Sequence, residues 1–139
     1  MAVNVQFAIA VHIMAALGHR RGLEATSSEL AMSVNTSPSF VRRVLARLSK
    51  AGLVATSTGK AGACRLARDV KDISLLDIYK AIDAPRAFSI HSYKEQKTCA
   101  VSCNIKSALD KALRRTQKAM EDSLENISLA QIVSYVSKS

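Results

Sequence analysis

The sequence predicts a mainly α-helical fold with one small β-hairpin and a long helix near its end. Three observations support this: apolar residues recur at three- and four-residue steps, helix-capping patterns begin four segments, and one short β-like stretch is split by glycines. With 139 residues, the chain is long enough for one small domain. Its 48% hydrophobic content is enough for a core and excludes a disordered polycation.

The first part of the chain predicts three helices. Residues 5–17 are apolar on nearly every side, which is typical of a buried helix. The capping box Thr26-Ser27-Ser28-Glu29 begins a short second helix, and Asn35-Thr36 makes a tight turn. Ser37 and Pro38 then begin a third helix, in which Val41, Val44, Leu45 and Leu48 form the buried stripe. Two short helices joined by a tight turn indicate a helix-turn-helix.

A β-hairpin is predicted directly after Gly52, where the third helix ends. Residues 53–58 and 63–67 are the strands, and Gly59-Lys60-Ala61-Gly62 is the turn. A hairpin in this position is the wing of a winged helix-turn-helix. Glycines at its tip let the backbone come close to a phosphate strand or enter a minor groove.

The rest of the chain predicts three further helices. One runs from the capping box at Ser74 to about Ala81, residues 86–102 are a loop, and a last short helix begins at Ser128. Between them a long helix covers 104–126, about 34 Å, with Ile105, Leu109, Leu113, Thr116, Met120, Leu124 and Ile127 along one seam. So long an apolar seam on so small a domain predicts a partner helix and therefore a homodimer.

The predicted organisation is a winged helix-turn-helix DNA-binding domain in residues 1–83, a sensory loop in 84–103, and a dimerisation helix with a C-terminal helix in 104–139.

The positive charge is concentrated in one part of the chain. There are 20 Lys and Arg against 11 Asp and Glu, a net charge of +9. Between Leu30 and Arg68 there is no acidic residue, while the run contains Arg42, Arg43, Arg47, Lys50, Lys60, Arg65 and Arg68. Solvated helices usually alternate charge signs, so an acid-free run predicts a polyanionic partner, double-stranded DNA.

Position on the third helix predicts how each residue meets DNA. In helix-turn-helix proteins the N-terminal part of the second helix reaches base edges, and flanking groups hold phosphates. This assigns Ser39, Arg42 and Arg43 to the major groove. It assigns Ser37, Arg47, Lys50 and Lys60 to the DNA backbone, and pure phosphate binding is an open alternative for Arg43 and Arg47. A dimer predicts a pseudo-palindromic operator.

The sequence lacks the motifs that are typical of enzymes, membrane or secreted proteins, and disulfide-rich scaffolds. There are no paired carboxylates in a cleft pattern, no nucleophile elbow and no phosphate-cradling loop, so no enzyme is predicted. Residues 7–17 are too short for a membrane span and lack the basic flank of a secretory signal. An odd count of three cysteines argues against a disulfide scaffold, so we expect a protein of the reducing cytoplasm.

Several segments together resemble one family. These segments are residues 7–17, 37–41 and 48–54 and the stretch Ile73-Ser74-Leu75-Leu76-Asp77-Ile78. They are similar to the Rrf-type family of bacterial winged-helix transcription regulators, the family of IscR, NsrR and CymR. Two departures stand out: Ala63 and Cys64 replace a glycine and an aromatic of the family's wing, and the family's three-cysteine cluster loop is reduced to Cys99 and Cys103. The resemblance therefore implies the branch without an iron-sulfur cluster, and no cofactor is predicted.

The cysteines suggest how such a regulator is switched. We expect Cys64, on a wing strand, to be a small buried hydrophobe. Cys99 and Cys103 lie near a helix start, where the helix dipole and the cations Lys97 and Lys106 favour thiolates. The hypothesis is a repressor that releases DNA when this pair is oxidised or modified by an electrophile. Two alternatives stay open: an atypical iron-sulfur or metal site completed by His91, and a DNA-binding protein without a ligand.

Overall fold

The computed structural model describes residues 5–57 and 62–138 and confirms the mainly helical fold with one hairpin. In chain order the elements are α1 (Val5–His19), α2 (Ser27–Val34), α3 (Pro38–Lys50), β1 (Val54–Thr56), β2 (Cys64–Leu66), α4 (Leu75–Ala81), α5 (Ala100–Glu125) and α6 (Leu129–Ser137). A single 3-10 turn, Val70–Asp72, joins the hairpin to α4 and was not predicted. None of the helices in the described ranges is both long and apolar enough to cross a membrane.

Local hydrogen bonds form the predicted helix-turn-helix. At the start of α2 the Thr26 hydroxyl accepts from the amide of Glu29, whose carboxylate accepts from the amide of Thr26 at 3.0 Å. Asn35 ends α2 in the left-handed conformation, with φ of 70°. The Ser37 hydroxyl then accepts from the Phe40 amide and begins α3. Gly52, with φ of 78°, takes the left-handed conformation just after α3.

The hairpin is shorter than predicted but lies where it was expected. β1 and β2 pair antiparallel, with Ala55 opposite Arg65. On its other edge β2 is extended by Ala25, whose amide and carbonyl bond those of Cys64 at 2.9 and 2.8 Å. The wing therefore joins the segment that precedes α2. The tip, with Lys60, lies outside the described residues.

The core is built around α1, as its apolar character predicts. Ile13, Met14 and Leu17 are buried among residues of α2, α3, α4 and β1, and α6 packs along the same helix. Gly18 of α1 lies in this contact with α6. A Cβ atom built there would lie 2.8 Å from Cγ2 of Val133 and 2.9 Å from Cγ1 of Val70, so a larger residue does not fit without movement.

Besides the packing of α6 on α1, two sets of hydrogen bonds join the C-terminal helices to α4 and the segment before it. The segments that begin α4 and α6 meet in a single antiparallel bridge between Ser74 and Ser128: Leu75 donates to the Ile127 carbonyl and Leu129 to the Ile73 carbonyl, both at 2.8 Å. Further along α5, the Gln117 amide group donates to the Tyr79 hydroxyl of α4 at 2.9 Å. The position of α5 is thus coupled to α4.

The predicted start of the long helix was wrong by four residues. α5 begins at Ala100 rather than at residue 104, because the Cys103 amide donates to the Cys99 carbonyl and closes a turn there. Cys103 therefore lies inside the helix and not in the loop assigned to 84–103. With 26 residues α5 is about 39 Å long, and none of its residues is fully buried.

Candidate nucleic-acid interface

The face of α3 opposite the core carries a stripe of exposed residues. Ser39, Arg43, Ala46 and Lys50 recur at intervals of four, three and four residues, and all four are exposed. They lie opposite Val41, which is buried together with Val44, Leu45 and Leu48. Ala46 was not among the predicted DNA-contacting residues, although its spacing places it on this face. A methyl side chain at the centre lets the helix approach base edges closely and can contact a thymine methyl group.

The two arginines at the edges of this stripe contact neighbouring elements. Arg42 donates from Nη1 to the Ser27 hydroxyl of α2 at 3.4 Å. Arg47 donates from Nη1 to the Ile82 carbonyl, at the end of α4, at 2.7 Å. A guanidinium has five donors, so both groups keep donors for other contacts, but both also hold α3 against its neighbours.

Arg43 is held differently from the other two arginines. Its guanidinium carbon lies 5.4 Å from the centre of the Phe40 ring, a cation–π contact within α3. No hydrogen bond to Arg43 occurs within the described ranges 5–57 and 62–138. Ser37 and Ser39 are exposed at the start of the helix, with their hydroxyl oxygens 3.3 Å apart.

The basic run has no acidic partner within the part of the chain that the structure describes. The ion pairs found there are Arg20–Glu29, Arg114–Asp110 and Lys118–Asp122, and all three lie outside residues 30–68. Arg65 on β2 and Arg68 just after it are also exposed. Within residues 5–57 and 62–138, the exposed arginines of α3 and of the hairpin therefore have no ion-pair partner.

Cys64 is a buried structural residue. Its side chain is 0% exposed, and its thiol donates to the Ala25 carbonyl at 3.4 Å. Burial, and secondarily the charge of Glu24, raises the pKa of the Cys64 thiol to about 11. This agrees with its expected role as a small buried hydrophobe.

Cys99 and Cys103 are exposed and lie in the first turn of α5. The Cys99 Sγ caps the helix by accepting from the Ser102 amide at 3.4 Å. The Cys103 thiol donates to the carbonyls of Gln96 and Lys97, at 3.5 and 3.7 Å. Both sulfur atoms thus join the preceding segment to the start of the long helix.

Comparisons with known proteins agree with this architecture. Residues 3–135 match the Rrf2 family, which is described as "Iron-dependent Transcriptional regulator". The chain is 37% identical over 136 residues to "Putative HTH-type transcriptional regulator YwnA" of Bacillus subtilis, covering 96% of this chain and 98% of that protein.

Solved structures of distant relatives share the fold. CymR of B. subtilis, the global cysteine regulator, has a TM-score of 0.69 at 20% identity, with coverage of 97% of this chain and 98% of CymR. IscR of T. potens has a TM-score of 0.66 at 24% identity, with coverage of 98% and 88%.

The iron named in the family description does not fit the residues of this chain. Cys99 and Cys103 supply two thiols, and Cys64 is buried in a hydrogen bond to Ala25. His91 contacts Tyr93 instead. Within residues 5–57 and 62–138 no group of three or more His, Cys, Asp or Glu side chains is placed to hold a metal ion. A standard iron-sulfur site with three thiolate ligands is therefore not encoded in this sequence.

Sequence identity to known regulators, and the share of the chain that it covers, assign this chain to a family. The family match spans almost the whole chain, and YwnA matches over nearly its full length. The fold has a helix-turn-helix, α2 and α3, followed directly by a β-hairpin. The chain belongs to the Rrf2 family of DNA-binding transcription regulators and is not an enzyme.

Proposed function

We propose that this protein is a homodimeric repressor that binds a pseudo-palindromic operator through α3 and releases it when Cys99 and Cys103 are oxidised. The observation that carries the DNA-binding part is the exposed stripe of α3, which lies in a basic run without acidic partners in the described part of the chain. A dimer bound at a promoter excludes polymerase from it, and this is the repressor role.

In the proposed complex α3 enters the major groove. Arg43 and Ser39 reach base edges from the centre of the stripe, and Arg42 reaches them from its edge. Ser37, Lys50 and the wing residue Lys60 contact phosphates. Arg47 combines a phosphate contact with its hydrogen bond to Ile82, so we propose that it also positions α3 against α4.

The dimer part of the proposal is supported by the apolar seam of α5. Ile105, Leu109 and Leu113 are only half-buried within one chain, and Val101 is 67% exposed. A second copy of α5 across a two-fold axis would bury these side chains. Two α3 helices would then face half-sites about one helical turn apart, or a multiple of it.

The thiol switch is supported by the position of both sulfur atoms. A peroxide oxidises Cys99 to a sulfenic acid and is itself reduced to water; the Cys103 thiol then attacks that sulfur, and water leaves as the disulfide forms. Cys103 loses the proton it donates to Gln96 and Lys97. A disulfide between the helix cap and its first turn strains that turn, so we expect the angle between the two winged domains to change.

A salt titration tests the DNA-binding part. Affinity for a random duplex is measured by fluorescence anisotropy at increasing salt for the wild type and for Lys50→Gln. A protein that binds phosphates loses affinity steeply with salt, and each lost contact reduces the slope of the log–log plot by about one. A shallow slope that Lys50→Gln leaves unchanged would contradict the proposal.

Operator affinity in two redox states tests the switch. We expect peroxide to weaken operator binding by the wild type and by Cys64→Ala, which removes the buried thiol. Cys99→Ser should bind equally in both states. Equal affinity of reduced and oxidised wild type would overturn the switch and leave a regulator that needs no ligand.

A further inference from the structure

A groove on the side of the winged domain is bounded by α1, α2 and α6. Its volume is about 550 Å³, within the range of roughly 300–1,000 Å³ that is typical of small-molecule sites. Val11, Ala15, Leu30 and Ile132 contribute apolar surface from all three helices. The α1 side of the groove is lined by small residues such as Ala8 and Ala16, so its interior is not filled by the chain itself.

The rim of the groove is polar. Two side-chain hydrogen bonds there join α1 to α2 and α1 to α6. The His12 Nε2 atom is hydrogen-bonded to the Ser33 hydroxyl of α2 at 2.9 Å. The His19 Nδ1 atom is hydrogen-bonded to the Ser137 hydroxyl of α6 at 3.1 Å. An apolar interior with a few polar groups at one edge is the usual composition of a ligand site.

Arg20 provides a specific reason to expect an anion. Its Nη2 atom lies 3.3 Å from Glu29 on the rim of the groove. Its Nε atom is buried and has no hydrogen-bond partner among the described residues. A buried donor without an acceptor is costly. A guanidinium that turned from Glu29 toward the groove would bring this Nε out of burial and present it, together with Nη, to the two oxygens of a carboxylate.

We propose that this groove binds a small organic acid with an apolar body, and that its occupation lowers the affinity for operator DNA. The apolar part lies between α1, α2 and α6, and the carboxylate pairs with Arg20 in place of Glu29. This regulatory role rests on the proposed DNA-binding function, whereas the binding site itself does not.

The position of Arg20 explains how the ligand acts on DNA binding. Glu29 belongs to the capping box that begins α2, and its hydrogen bond from Thr26, followed by the charge of Arg20, lowers the pKa of its carboxyl group. A ligand acid that takes Arg20 from Glu29 removes a tie between α1 and α2. Ser27, two residues before Glu29 in the same first turn of α2, accepts a hydrogen bond from Arg42 of α3. A shift of α2 is therefore transmitted to α3, the helix that is proposed to enter the major groove.

Binding of a fluorescent anion tests the site. The full-length protein is titrated with 8-anilinonaphthalene-1-sulfonate, an anion with an apolar body. Arg20→Gln should weaken binding roughly tenfold, because it removes a charged hydrogen bond. Arg21→Gln is the matched control, since it removes the same charge from the neighbouring residue, and it should bind like the wild type.

A second pair of variants tests the location without altering a charge. Ala8→Trp places a large side chain on an exposed position of α1 that lines the groove and should block the probe. Phe88→Trp adds the same side chain at an exposed position away from the groove and should not. Thermal unfolding confirms that each variant is folded. Equal probe binding by all four variants would overturn the site.

Competition and DNA binding test the ligand class and its effect. Octanoate and indole-3-acetate should displace the probe at least tenfold more effectively than octanol and indole-3-acetamide. They should also weaken operator binding by the wild type but not by Arg20→Gln. Equal displacement by acids and neutral analogues would refute the ligand class. Displacement without an effect on operator affinity would refute the coupling. A protein that binds the acids but no DNA would refute the proposed function alone.

Discussion

The three arginines of α3 differ in what holds them, and this predicts different effects of mutation. Arg43 lies over the Phe40 ring of its own helix, whereas Arg47 donates a hydrogen bond to the Ile82 carbonyl of another element. Arg43→Ala should lower operator affinity by about 1–3 kcal/mol and relax the preference at one base pair of each half-site, without reducing protein stability. Fluorescence anisotropy with base-substituted operators measures this.

Arg47→Ala is the control for that measurement. Removing its bond to Ile82 should lower the free energy of unfolding by about 1 kcal/mol as well as weakening binding to every sequence alike. If Arg43→Ala also weakens all sequences equally, Arg43 contacts phosphate and does not read a base.

The raised pKa of the Cys64 thiol predicts that the protein loses stability at alkaline pH. Its folded-state pKa of about 11 lies above the ordinary value of 9.0, so the folded protein holds the proton more tightly than the unfolded chain. The resulting stabilisation is fully present below pH 9 and is lost as the pH rises to 11, by up to about 3 kcal/mol.

Urea unfolding at pH 8 and pH 10.5, under reducing conditions, checks this for the wild type and Cys64→Ala. Lysines and tyrosines titrate in the same range in both proteins, so the difference between the two isolates Cys64. The same fall in stability for both would contradict the account.

At the scale of single residues, the sequence allowed the positions of helical side chains to be predicted but not their long-range partners. The stripe of Ser39, Arg43 and Lys50 follows from the helical period alone. The bond from Arg47 to Ile82 joins residues 35 apart in sequence and depends on how α3 packs against α4. For the same reason, the groove beside Arg20 could not be foreseen.

At the scale of elements, the contact between α1 and α6 depends on Gly18. A Cβ atom there would meet Val133 and Val70 at less than 3 Å. Gly18→Ala should therefore destabilise the protein by about 1–3 kcal/mol, the usual cost of overpacking a core. Chemical denaturation measures the loss.

The variant Val133→Ala provides the matched test of that contact. It removes the methyl groups that the new Cβ would meet, so Gly18→Ala should cost less in its presence. Additive losses in the double variant would show that Val133 is not the residue that resists the substitution.

Helix starts with hydroxyl caps were predicted well, and the start of α5 was not. Thr26, Ser37, Ser74 and Ser128 all cap helices as their local patterns indicate. The cap of α5 is a cysteine, which is not among the residues that signal a helix start. Because this cap is a thiol, the proposed oxidation of Cys99 would act directly on the first turn of α5.

At the scale of the whole molecule, the proposed binding to a pseudo-palindromic operator requires two copies of the chain. Leu109→Glu places a charge in the apolar seam of α5 and should convert a dimer into a monomer, because burying an unpaired carboxylate is costly. Lys111→Glu alters the opposite side of the same helix and should leave the dimer intact. Sedimentation velocity distinguishes the two states. A monomeric wild type, or a dimer unaffected by Leu109→Glu, would show that α5 is not the interface.

The resemblance to Rrf-type regulators is confirmed by the match over residues 3–135, so the overall fold could be predicted from the sequence. The iron-dependent character of the family does not extend to these residues, because only Cys99 and Cys103 are exposed thiols.

Footprinting on the DNA upstream of the protein's own gene is the decisive experiment for the proposed dimeric DNA complex. We expect two protected half-sites related by a pseudo-two-fold axis, with their centres about one helical turn apart or a multiple of it. Arg43→Ala should weaken both half-sites, and peroxide should release them in the wild type. Protection of a single asymmetric site, or a footprint that Arg43→Ala leaves unchanged, would rule out the proposed complex.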